Sequence, residues 1–132
     1  MTAHYHAVIW IDHHEAHVIH FSAGQSDEKT VRPADPPRHL HSKAGSVSGT
    51  HITAEPEFYR DVVAAVAESQ AILIAGPSSA KTEFVKYIHK HAHLMIDRVS
   101  GIETMDRVTD NQLLVEARRY FGQADLMSAQ KV

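Results

Sequence analysis

Ala71-Ile-Leu-Ile-Ala-Gly-Pro-Ser-Ser-Ala-Lys81-Thr-Glu-Phe84 is the stretch that decides the fold. Ala71 to Ala75 is too short and too apolar for a surface helix and fits a strand buried on both faces. Gly76-Pro77 makes a turn, and Ser78 or Ser79 opens a helix over residues 80–91 that carries Lys81 in its first turn and buries Phe84 and Ile88. That junction puts backbone N–H groups and a lysine at a strand's carboxyl end, where open α/β sheets usually meet ligands and phosphates. It is not a P-loop, because the G-x-x-x-x-G-K-[ST] spacing is absent. Gly76, Ser78, Ser79 and Lys81 are therefore candidate phosphate contacts, weighed against the plainer reading of a helix cap with a solvated lysine.

Upstream, the continuous apolar run Ala7-Val-Ile-Trp-Ile11 reads as a central strand that ends at Asp12. His13-His14-Glu15 makes a tight connection to Ala16-His-Val-Ile-His-Phe21, whose alternation places Ala16, Val18 and His20 on one face and His17, Ile19 and Phe21 on the other. A third, edge-like strand is expected near Lys29 to Arg32. From residue 33 to 53 prolines, glycines, serines and histidines break every period, and a loop of that length in a small domain is usually functional or mobile. Between Val31 and His51, Arg32, Arg38 and Lys43 face only Asp35, a local net charge of +2 in a chain of net charge −3.

Pro56 and Glu57 favour a first helical turn, and Phe58, Val62, Val63, Ala65 and Val66 continue as an apolar stripe to about Ser69. Beyond the quoted stretch, Leu94-Met-Ile96 leads to a last strand over residues 99–103. Thr109-Asp-Asn-Gln112 is a capping box before a helix using Leu113, Ala117 and Phe121, with Gly122 as its expected stop and residues 123–132 as a flexible tail. The order β-β-β-loop-α-β-α-β-α predicts a single α/β domain over residues 1–122. An antiparallel meander feeds parallel βαβ units, with helices flanking a mixed sheet.

With 132 residues and 43% apolar content the chain holds one core. The absence of cysteine removes disulfide scaffolds, thiol nucleophiles and cysteine-ligated zinc. Met1-Thr-Ala-His-Tyr-His6 lacks a basic n-region, and no later run approaches the roughly 18 apolar residues of a membrane span. The expected location is the cytoplasm. A net charge of −3 supplies no bulk field toward nucleic acid, so any RNA contact needs a local patch.

Histidine is the outlier, with 12 residues. His13, His14, Glu15 and His17 crowd the hairpin tip, where imidazoles and a carboxylate could hold Zn²⁺ or Ni²⁺. The plainer reading makes the histidines polar surface residues that charge at mildly acidic pH. Asp12, with Glu15 nearby and Glu103 and Asp106 near the last strand, raises a metal-dependent nuclease, although the carboxylate set is incomplete and Asp12 is more simply a turn residue. No catalytic residue is assigned.

The order of elements, and Ile72-Leu-Ile-Ala-Gly-Pro-Ser-Ser-Ala-Lys-Thr-Glu-Phe84 above all, resemble the central domain of the class-1 release factor of eukaryotes and archaea and of its paralogue Pelota. The first strand ending in Asp12, the second starting near Ala16 and the closing Ile102-Glu-Thr-Met-Asp106 belong to the same likeness, as do small stand-alone bacterial relatives known as translational machinery proteins. The resemblance implies an RNase H-like sheet and association with the ribosome or tRNA. In release factors the long loop carries a Gly-Gly-Gln tripeptide. The loop here reads His39-Leu-His-Ser-Lys-Ala-Gly-Ser-Val-Ser-Gly49, so the hydrolytic chemistry does not carry over. The expectation is a non-catalytic accessory domain that meets phosphate through Arg38, His39, His41, Lys43 and the Gly76–Lys81 corner. Self-association stays open.

Overall fold

The computed structural model describes residues 6–22, 24–33 and 56–130, with only the backbone described at 56 and 123–130. The elements are β1 (His6–Ile11), β2 (Ala16–Phe21), β3 (Ser26–Val31), α1 (Pro56–Ala65), β4 (Ala71–Gly76), α2 (Ala80–His91), a 3-10 helix (His93–Arg98), β5 (Val99–Thr104) and α3 (Asp110–Gln130). They form one mixed five-stranded sheet of order β3-β2-β1-β4-β5. β2 runs antiparallel to both neighbours, while β1, β4 and β5 are parallel.

The alternation of β1 explains its place at the centre. Ala7, Ile9 and Ile11 enter a core with α1 and α2, through Phe58, Tyr59, Val62, Phe84 and Ile88. Val8 and Trp10 enter a second core beneath α3, with Ile19, Phe21, Leu73, Leu113, Ala117 and Phe121. A strand covered on both faces has no polar side, which is why its sequence is a continuous apolar run.

Polar side chains fasten the layers. His20 Nε2 donates to the carbonyl of Ala65 at 2.6 Å, and Arg98 donates to the carbonyl of Ala67 at 2.8 Å, so the end of α1 is capped from the sheet and from the 3-10 helix. At α3 the capping box forms reciprocally. The Gln112 N–H donates to Thr109 Oγ1 at 3.1 Å and the Thr109 N–H donates to Gln112 Oε1 at 3.0 Å.

Three expectations change, and the Leu94-Met-Ile96 run, to which its sequence assigns no element, gains one. β3 begins at Ser26, because pairing with β2 extends it through exposed polar residues that carry no alternation. α1 ends at Ala65 rather than near Ser69. The Leu94-Met-Ile96 run is a 3-10 helix with Met95 buried and Leu94 82% exposed. The last helix runs through Gly122 to Gln130, since a mid-helix glycine costs only about 1 kcal/mol and Ala124, Leu126, Met127 and Ala129 are strong helix formers. Among the described residues, no helix is long and apolar enough to cross a membrane.

Candidate functional site

The carboxyl ends of β1, β4 and β5 share one edge of the sheet, which β3 also reaches at its end and where β2 begins. Chemistry-bearing side chains gather there around two carboxylates, Glu83 and Glu15.

Glu83 lies in the first turn of α2. Its Oε1 stands 3.1 Å from His13 Nε2 and accepts the Tyr59 hydroxyl at 3.2 Å, and its Oε2 accepts the Ser79 hydroxyl at 3.4 Å. Because a carboxylate only accepts, the His13 proton sits on Nε2. Burial, then the charge of Glu83 and its hydrogen bond, push the Tyr59 phenol well above its ordinary value.

Glu15 is the deeper carboxylate, with its side chain 12% exposed. His17 Nε2 lies 2.9 Å from Oε2, which also takes Arg107 Nη2 at 3.0 Å. Oε1 accepts Arg32 through Nε at 3.2 Å and Nη2 at 3.1 Å. The His17 hydrogen bond leads in holding the Glu15 carboxyl below its usual range, with the charges of His17, Arg107 and Arg32 adding to it against the opposing cost of burial. His17 Nδ1 faces Asp110 Oδ1 at 3.3 Å, an ion-pair separation without hydrogen-bond alignment. Arg107 lies over the Trp10 ring at 5.2 Å, and the Trp10 indole N–H donates to the carbonyls of Met105 and Asp106 at 3.1 and 3.2 Å. The β5–α3 connection is thereby held on β1.

The Gly76–Lys81 corner sits on the same edge. Gly76 closes β4, its carbonyl accepts the Met105 N–H at 2.8 Å, and a Cβ there would collide with the carbonyl oxygen of Ile11. Glycine is required for lateral room against β1. The Lys81 ammonium donates to the Ser78 carbonyl at 2.7 Å, and Ser78 and Ser79 are exposed. Ser79 is the N-cap residue, yet its backbone is helical and its hydroxyl makes no cap hydrogen bond.

The metal candidates are not brought together. His13 turns to Glu83, His17 and Glu15 bond each other, and His14 is exposed. Among the described residues no group of three or more His, Cys, Asp or Glu side chains is placed to hold a metal ion. The physical reason is that Glu15 already serves two guanidiniums and an imidazole. The described histidines divide: His14, His89, His91 and His93 are exposed, whereas His6 packs against the rings of Phe21 and Phe121, at 5.5 and 4.4 Å, and His20 ties β2 to α1. Asp12 is a turn residue, with Oδ1 accepting the N–H groups of His14 at 2.8 Å and Glu15 at 2.9 Å. Arg38, His39, His41 and Lys43 lie outside the described residues. Sequence reasoning missed Tyr59, Glu83, Arg107 and Asp110, and only the acid pairing implied by a crowded sheet edge could have pointed to them.

No family model matches the chain, and no curated protein matches it in sequence. Solved structures do match in fold. Archaeoglobus fulgidus Pelota aligns at a TM-score of 0.62 and 14% identity over 96% of this chain and 36% of that one. The archaeal translation termination factor aRF1 aligns at 0.52 and 15% identity, covering 96% and 39%. Dom34 of S. cerevisiae, a translation termination-like factor involved in RNA quality control and interacting with Hbs1, aligns at 0.55 and 10% identity, covering 96% and 38%. The chain carries the fold of one domain in these factors and spans little more than a third of their length.

Proposed function

We propose that this chain is a non-catalytic accessory domain that associates with the ribosome or tRNA, in a role related to translation release and rescue, in the cytoplasm. One observation carries the reading. Both flanks of the 33–53 stretch, which carries Arg38, His39, His41 and Lys43, are tied to the edge that holds the Gly76–Lys81 corner, Arg32 through Glu15 and Tyr59 through Glu83. The residues that bracket this stretch stand on the same edge as the corner, which supports a shared contact surface. The shared fold with Pelota, aRF1 and Dom34 supports the same direction.

In this role Arg38, His39, His41, Lys43 and Lys81 meet RNA phosphates, with backbone N–H groups at Gly76, Ser78 and Ser79 as further donors. The sequence contains no Gly-Gly-Gln, so the role is binding rather than ester hydrolysis. Co-sedimentation with ribosomes in rising salt tests it: association at low salt that weakens steeply as counterions compete supports the reading. A pellet free of the protein at low salt refutes it.

A further inference from the structure

We propose that Arg32 and Arg107 form a clamp for a single phosphodiester of RNA, with the Glu15 carboxylate as its base. The inference deepens the RNA-contact reading and rests on it. The two arginines come from different places, the end of β3 and the β5–α3 connection, and converge on the two oxygens of one carboxylate.

Ordinary surface ion pairs pair one mobile cation with one mobile anion, and carry little meaning. This arrangement differs in three respects. Its base is mostly buried, with Glu15 12% exposed, while the guanidinium-bearing side chains are 65% and 62% exposed. Arg107 is also held over the Trp10 ring, itself locked by two carbonyl hydrogen bonds. Finally, the charges do not balance within the trio: two guanidiniums face one carboxylate and leave one positive charge, the complement of one phosphodiester. The nearby acids make no ion pair with either guanidinium: Asp110 faces His17 Nδ1 at 3.3 Å, and Asp12 accepts the N–H groups of its own turn.

Each guanidinium has five N–H donors and spends one or two on Glu15. The remaining donors belong to side chains that are largely exposed, and planar guanidinium forks suit phosphate oxygens better than ammonium groups do. A carboxylate chain offers similar oxygens, but the proposed RNA association favours phosphodiester.

The test uses the full chain and a fluorescently labelled single-stranded oligouridylate, with affinity followed against salt. Replacing both arginines (Arg32→Ala, Arg107→Ala) lowers the slope of log affinity against log salt by roughly 0.7 per arginine lost. Since this double change strands the Glu15 charge, the same pair combined with Glu15→Gln guards against misfolding and gives the same loss. The double lysine variant (Arg32→Lys, Arg107→Lys) recovers the slope but not the affinity. RNA binding with an unchanged slope in both alanine variants overturns the clamp and leaves the RNA reading standing. No RNA binding by the unaltered chain overturns the clamp and, when ribosome association is also absent, the reading beneath it. Displacement of the RNA by poly-glutamate as readily as by unlabelled RNA overturns the assignment to phosphodiester.

Discussion

His13 and Glu83 are separated by 70 positions in sequence and by 3.1 Å between Nε2 and Oε1. The pair ties the β1–β2 turn to the first turn of α2, and Tyr59 brings α1 onto the same oxygen. Removing the hydroxyl with Tyr59→Phe is expected to cost about 1 kcal/mol in chemical denaturation. Glu83→Ala takes the acceptor from three donors, His13, Tyr59 and Ser79, and is expected to cost about 2 kcal/mol. The raised Tyr59 phenol adds a spectroscopic check. In alkaline absorbance titration the wild type and Tyr59→Phe should show the same number of tyrosines ionising before unfolding, because Tyr59 stays protonated while folded.

Glu15 predicts a pH dependence of stability. Its carboxyl is lowered from an ordinary value of 4.5, so its contribution is fully present above that pH and is lost as pH falls through the depressed folded-state value. Unfolding free energy measured across the acid range should therefore fall more steeply for the wild type below about pH 4.5 than for Glu15→Gln. Parallel curves would mean that Arg32, Arg107 and His17 leave the protonation of Glu15 unchanged between folded and unfolded chain.

Two glycines should respond differently to alanine. At Gly76 the added methyl meets the Ile11 backbone oxygen, which the β1–β4 pairing holds in place, so Gly76→Ala should cost about 2–4 kcal/mol. At Gly101 the methyl meets the hydroxyl end of Tyr120, a side chain that can swing away. That movement gives up the 2.7 Å hydrogen bond from Tyr120 to the Ser100 carbonyl, and a cost of about 1 kcal/mol is expected. Equal melting temperatures for the two variants would contradict the distinction.

The fold was legible wherever the determinants are local. The Ile72–Phe84 strand-turn-helix, the doubly buried β1 and the Thr109–Gln112 capping box each write their structure into neighbouring residues. The edge was legible only in part. Glu15 was singled out beside histidines, but its cation partners include Arg107, which reaches it only because β5 follows β4 and β1 in the sheet. Glu83 was part of the quoted stretch, yet nothing local links it to His13 or Tyr59. Gly122 misled for the opposite reason: its local stop signal was overridden by the helix formers that follow.

On this reading the 33–53 stretch, with Arg38 and Lys43, and the Lys81 corner meet ribosomal or transfer RNA. Ribosome co-sedimentation of the wild type beside the triple variant Arg38/Lys43/Lys81→Ala, from about 50 to 200 mM salt, tests it most directly. The expected result is wild-type protein in the ribosomal pellet at low salt, released as salt rises, with the triple variant released earlier. Protein that stays in the supernatant at low salt, or a triple variant that pellets like the wild type, contradicts it.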